Sequence, residues 1–154
     1  MELNKDIKNN IDRYKMYSIY FNSLYNRLNS AKNYYPNFQN WYYNKVVPDI
    51  LNNKRDFIFE NRNDKIVGLA LIKYEEKKLC TLKVFDEYQN RGYGLKLFEN
   101  SFDKLETNKP FLTVSEEKYL EFKKVFEYYG FELTSIQKDL YRSEKLEYFF
   151  NETK

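Results

Sequence analysis

Gln89, Gly92 and Gly94 lie in the segment Val84-Phe85-Asp86-Glu87-Tyr88-Gln89-Asn90-Arg91-Gly92-Tyr93-Gly94-Leu95, where an apolar run passes through a glycine-containing loop into residues at helical spacing. That order suits the binding of an anion. Glycines let successive backbone amides converge, and the helix that follows adds the positive end of its dipole, so main-chain donors can hold a diphosphate. Arg91 and Lys96 add cationic side chains for charge-assisted contacts to phosphate, although each also suits a solvated surface. Two nucleotide-binding patterns fail by residue: the dinucleotide fingerprint needs a third glycine where Leu97 stands, and the nucleotide-triphosphatase loop needs a Gly-Lys-Ser/Thr that the chain lacks.

The rest of the chemistry is bounded by absences. None of the 154 residues is histidine, so a Ser-His-Asp triad, a Cys-His dyad, a His-ligated metal and a histidine pH switch are excluded. Proton transfer falls to carboxylates, Lys, Tyr, the single cysteine or water. Cys80 alone forms no intramolecular disulfide and no CxxC site, which points to a reducing, cytoplasmic setting. With 26 Lys+Arg against 23 Asp+Glu the net charge is +3, distributed without a basic block, so charge names no nucleic-acid partner. The opening MELNKDIKNN has no apolar core and no later run approaches membrane-spanning length, so neither export nor membrane insertion is expected.

These residues need a scaffold, and the chain can build one. Hydrophobic residues make up 42% and aromatic ones 19%, with 16 Tyr and 13 Phe, enough for a bulky core in a single domain spanning 1–154. Ile11, Tyr14, Ser18, Phe21, Tyr25 and Leu28 recur three and four apart and predict a first helix. An aromatic loop, Tyr34-Tyr35-Pro36-Asn37-Phe38-Gln39-Asn40-Trp41, precedes a second helical piece bent or split at Pro48. Short apolar runs at Phe57–Glu60, Ile66–Ile72 and Leu79–Phe85, separated by polar turns, predict a three-stranded meander. A helix over about Gly94–Glu106 and a strand Phe111–Val114 follow. The stripe Phe122, Val125, Phe126, Tyr129 gives a further helix stopped at Gly130, and runs at Phe131–Ile136 and Leu146–Phe150 close the chain as an antiparallel pair. The order is ααβββαβαββ, an α/β (α+β) fold.

The glycine loop in this context resembles the acetyl-coenzyme A loop of the GCN5-related N-acetyltransferase (GNAT) superfamily, whose pattern Gln/Arg-x-x-Gly-x-Gly/Ala follows a strand ending in Val. Gln89, Gly92 and Gly94 fit it. Ile66-Val67-Gly68 resembles the family's third strand, and Phe126-Glu127-Tyr128-Tyr129-Gly130-Phe131 resembles its Tyr-x-x-x-Gly-Phe helix end, so the likeness covers about Phe57 to Leu133. The resemblance implies a mixed, mostly antiparallel sheet with helices on both faces, splayed open after the strand ending at Val84. It implies acetyl-CoA as cofactor, its pantetheine arm laid along backbone groups near Leu82 and Val84. Amides from Gln89, Asn90, Arg91, Gly92, Tyr93, Gly94 and Leu95 would hold the diphosphate, joined by the Lys96 side chain.

One departure stands out. The family commonly protonates the departing thiolate with a tyrosine four residues before the helix-end glycine, and here that residue is Phe126. Tyr119, upstream on the same helix, and Ser115, at the end of the preceding strand, are the candidate replacements; Ser115 equally suits a helix N-cap and Tyr119 an aromatic packing position. Glu60 and Glu116 are candidate bases acting through water. Cys80 suits buried filler more than an acyl carrier, since without a histidine it would need another way to become thiolate. For the acceptor, the resemblance makes Tyr34, Tyr35, Phe38 and Trp41 lining residues, which helix-to-sheet packing would also explain. The expected activity is transfer of acetyl from acetyl-CoA to a primary amine by a monomer or homodimer. The alternatives are a non-catalytic acyl-CoA-binding module and a nucleic-acid-interacting protein using its Tyr-rich surface.

Overall fold

The computed structural model describes residues 2–153, with side chains from Lys15 onward, so Ile11 and Tyr14 of the first predicted stripe lie outside the described side chains. Helix α1 spans Glu2–Leu28 and buries Phe21, Leu24 and Leu28 along one face, with spacings of three and four. A 3₁₀ turn, Asn29–Asn33, leads to a continuous helical stretch in three geometries: α2 (Phe38–Trp41), a π-turn (Tyr42–Val46) and α3 (Val47–Leu51). The widened turn answers Pro48. Val47 donates its amide to Tyr42 five residues back, and Pro48, which has no N–H to continue the ladder, follows directly on that widened turn.

Three antiparallel strands follow: β1 (Arg55–Arg62), β2 (Lys65–Lys73) and β3 (Lys78–Val84). Asn63 and Asp64 join the first two with φ of 51° and 62°, the left-handed pair of a tight hairpin turn. Helix α4 (Tyr93–Leu105), β4 (Leu112–Ser115), α5 (Glu116–Tyr129), β5 (Leu133–Lys138) and β6 (Leu146–Phe150) complete the chain. The strands form two three-stranded sheets, ordered β1-β2-β3 and β4-β6-β5. A single parallel bridge, Lys78 to Phe111, joins them, through Leu79 N–H to Phe111 O at 2.9 Å and Phe111 N–H to Lys77 O at 3.0 Å. Beyond it β3 and β4 pair with each other nowhere among the described residues, so the sheet opens toward Val84 and Ser115.

The core has two layers. Under one face of β1–β3, Phe21, Leu24 and Leu28 of α1 meet Phe38, Tyr42, Val46, Phe57, Leu69 and Leu71. Across the other face α4 and α5 bring Leu97, Phe98 and Phe126 against Ile58, Ala70, Ile72, Leu112 and Phe150. At Gly68 of β2 an added Cβ would lie 2.8 Å from Lys83 O and 3.0 Å from a Leu97 methyl carbon of α4, so only glycine admits this approach. The second layer brings α4 and α5 to the open end of the sheet.

Candidate functional site

Between the diverging strands lies a slot of about 50 Å³ lined by Cys80, Thr81 and Leu82 of β3, Thr113 and Val114 of β4, and Phe98, Phe122 and Phe126 of the helices. The edge of β3 facing it, from Cys80 to Val84, has no strand partner. Backbone donors and acceptors there are free to pair with an extended ligand as a strand would.

At the far end of β3 the chain turns into α4. Gln89 folds back, its side-chain amide donating to Val84 O and to Asp86 Oδ1, each at 3.3 Å, which fixes the loop against the strand end. Asn90 and Gly92 are left-handed, at φ 64° and 84°. Gly92 is the N-cap of α4 and no side chain caps that terminus, so the amides of its first turn have no side-chain partner there. A Cβ on Gly92 would meet no atom within 4 Å, and on Gly94 it would meet only a Val84 methyl carbon at 3.8 Å. Arg91, Leu95 and Lys96 are exposed around the opening, whereas the Tyr93 ring is buried against Tyr88 and leaves only its amide for a ligand.

Neither of the predicted proton donors, Ser115 and Tyr119, lines the slot. Ser115 is fully buried and its hydroxyl accepts from Lys118 N–H at 3.2 Å, so it is the N-cap of α5, although its proton is still free to donate. Tyr119 stacks on Tyr148 with 4.6 Å between centroids, on the stripe it shares with Phe122 and Phe126. Phe126 is 3% exposed, enclosed by Phe98, Phe122, Phe131 and Phe150 while lining the slot. Burial, followed by the Glu99 carboxylate, pushes the Tyr129 phenol up to about 12, so it stays protonated and donates poorly. Burial likewise pushes up the Cys80 thiol, which accepts a hydrogen bond from Arg55 Nη1 at 3.3 Å. Arg55 is held in turn by Asp49 at 2.8 Å and by the Trp41 ring.

Three expectations for the acceptor side need correction. Phe38 is buried under β1–β3 and stacks on Tyr25, and Trp41 packs beside it over Arg55, so both belong to the core below the sheet and not to the opening. Glu60 sits on β1 opposite Gly68, and because β2 and β3 lie between β1 and the slot its carboxylate is far from the opening. Glu116, the other candidate base, accepts from the Leu146 amide at 3.0 Å. Tyr34 lies beside the start of α5, where Lys118 and Arg142 sit over its ring at 5.2 and 5.5 Å and Arg142 is itself clamped in two hydrogen bonds to Glu117, and Tyr35 packs at the margin of the core below the sheet.

Tyr35 leads to a residue that sequence reasoning missed. Its hydroxyl donates to Glu147 Oε2 at 2.9 Å, and Glu147, on β6 directly opposite Ser115, is 4% exposed. Desolvation raises the Glu147 carboxyl above its ordinary value, opposed by the hydroxyls of Thr113 and Tyr35 and by the more distant Arg142 and Lys78. Among the described residues no cation pairs with it within salt-bridge distance. The available signal was a lone carboxylate inside Leu146-Glu147-Tyr148-Phe149-Phe150, in a strand otherwise apolar.

An unpaired β3 edge, an open helix N-terminus behind a Gln-x-x-Gly-x-Gly loop and an aromatic slot between splayed strands define an acyl-CoA-transferase type of site. The match is confirmed over most of the chain: residues 28–142 fit the model of the acetyltransferase (GNAT) domain, and the protein belongs to that family of acetyltransferases. No curated protein matches its sequence. Among solved structures it is similar to a GNAT-family acetyltransferase from Desulfovibrio desulfuricans (20% identity, TM-score 0.58, 69% of this chain and 74% of that one). It is also similar to the ribosomal-protein-S18-alanine N-acetyltransferase of Escherichia coli (18%, 0.55, 68% and 74%). A third is a GNAT acetyltransferase from Elizabethkingia anophelis with acetyl-CoA bound (14%, 0.54, 69% and 80%). At these identities the likeness is one of fold.

Proposed function

We propose that this protein is an acetyl-CoA-dependent N-acetyltransferase that passes the acetyl group to a primary amine by direct attack. The observation that carries the reading is the uncapped start of α4 beside the unpaired edge of β3, two main-chain sites in line, one suited to a diphosphate and the other to an extended amide chain. In this reading the amides from Gln89 through Asn90, Arg91, Gly92, Tyr93, Gly94 and Leu95 hold the diphosphate, Arg91 and Lys96 neutralise it, and Leu82 and Val84 pair with the pantetheine arm. The thioester then lies in the slot among Phe98, Phe122 and Phe126, where water is excluded and the amine meets the carbonyl at high effective concentration. Tyr34 and Tyr35 form the acceptor wall. The departing thiolate takes its proton from Tyr119, from Ser115 or from the attacking nitrogen. The single cysteine suits a cytoplasmic setting, and no helix among the described residues is long and apolar enough to cross a membrane.

Titration calorimetry with acetyl-CoA tests this, the expected result being micromolar binding lost when the α4 entrance is blocked. One observation favours a second reading, a non-catalytic acyl-CoA-binding module: the slot carries a phenyl ring at Phe126 where the family uses a tyrosine. Cofactor binding without acetylation of any amine in a broad panel, in wild type and in Phe126→Tyr alike, would select it.

A further inference from the structure

Glu147 is an unusual expense for a small protein. A carboxylate this deeply buried, with the Tyr35 hydroxyl for a partner and no counter-ion within salt-bridge distance among the described residues, destabilises the fold relative to a neutral isostere of the same shape. Its position gives the cost a purpose. Register sets Glu147 opposite Ser115, and Thr113, two residues before Ser115 on β4, lines the slot. The Tyr35 phenol oxygen donates to Glu147 at 2.9 Å and keeps acceptor capacity for a ligand. Burial, followed by the Glu147 charge, drives the Tyr35 phenol far above its ordinary value, so it holds its proton and does not stand as phenolate.

We propose that Tyr35 and Glu147 form a proton relay for a cationic acceptor: the acceptor's ammonium docks on the Tyr35 oxygen, and Glu147 receives the proton through that hydroxyl. The inference rests on the acetyltransferase reading and names its substrate class, an aliphatic amine that is protonated in solution, selected over aromatic amines and hydroxyl compounds. The steps balance. An ammonium proton passes to the Tyr35 oxygen as the Tyr35 proton passes to the Glu147 carboxylate. The freed nitrogen lone pair forms the C–N bond to the thioester carbon, and the C–S bond breaks with its electron pair on sulfur. A second nitrogen proton neutralises the thiolate, and Glu147 returns its proton to water through Tyr35. Glu147 acts through Tyr35 and is a positioning residue; Tyr35 is the catalytic one. The charged and titratable groups facing the pair are Lys78 from β3 and Tyr141 and Arg142 from the β5–β6 turn, with Thr113 and Ser115 of β4 as uncharged neighbours.

The test uses acetyl-CoA with n-butylamine, benzylamine and 1,4-diaminobutane, in wild type, Glu147→Gln and Tyr35→Phe, with cofactor affinity measured alongside. Wild type is expected to acetylate at least one of the three with kcat/KM on a plateau through neutral pH. Glu147→Gln keeps the hydrogen bond to Tyr35, so it should fold and melt at or above the wild-type temperature while kcat/KM drops about a hundredfold. Its remaining rate should rise about tenfold per pH unit, following the free amine. Tyr35→Phe should lose about tenfold or more. Wild-type rates in Glu147→Gln, an unchanged pH profile, a marked loss of melting temperature in that variant, or no acetylation and no binding of any of the three amines by cofactor-loaded wild type would each overturn the relay. Failure of wild type to bind acetyl-CoA would instead overturn the acetyltransferase reading beneath it.

Discussion

Gly92 is the residue on which the account of cofactor binding turns. Its φ of 84° disfavours any side chain, so a substitution strains the loop whose amides are assigned to the diphosphate. Gly92→Val is therefore expected to weaken acetyl-CoA by at least about tenfold, or about 1.4 kcal/mol, measured by calorimetry. Ser115→Ala separates its two roles: loss of the cap costs about 1 kcal/mol of stability, and a rate drop near a hundredfold at unchanged cofactor affinity would mark the hydroxyl as a proton donor as well. The loop was legible because its signal is local, three residues at fixed spacing after an apolar run. Glu147 was not, because its significance depends on pairing with Ser115 across a strand contact some thirty residues away in sequence, and a single carboxylate among apolar residues says nothing of which face it takes or what lies there.

Helix α5 carries the departure from the family at Phe126 and the means of testing it. The Phe126 ring borders the slot on one side and aromatic core on the others, so the hydroxyl of Phe126→Tyr is expected to cost about 1–3 kcal/mol if it meets only carbon and little if it reaches the slot. Turnover should be unchanged or higher; a fall in rate at full cofactor affinity would remove the slot from the reaction path. The start of α5 also predicts a pH effect. Paired with Arg142, the Glu117 carboxyl is lowered from 4.5 to about 2, so the clasp between α5 and the β5–β6 turn contributes stability above its unfolded value and loses it as pH falls toward 2. Acid unfolding of Glu117→Gln should show a weaker dependence over that window. Helices and strands were readable from period, as the α5 stripe shows. The β1–β3 meander was readable as well and already set two strands between Glu60 and the opening, so Glu60 was weighed by residue type alone; what period 2 left open was the neighbour of β4, which the structure shows to be β6. Phe38 and Trp41 misled because an aromatic loop is equally suited to a core below a sheet and to a pocket beside it.

At the scale of the whole molecule the two half-sheets meet through one parallel bridge and a shared aromatic layer, and the proposed ligand would fill the gap between them. Binding there couples to global stability, and at a hundredfold excess over the dissociation constant the gain should be about 2.7 kcal/mol, visible as a rise in melting temperature. An acetyl-CoA titration of wild type and Gly92→Val, followed by calorimetry, tests the central claim most directly. The account predicts micromolar binding by wild type and a loss of about tenfold or more in the variant. No heat of binding to wild type at millimolar acetyl-CoA, or equal affinity in the two proteins, would contradict it.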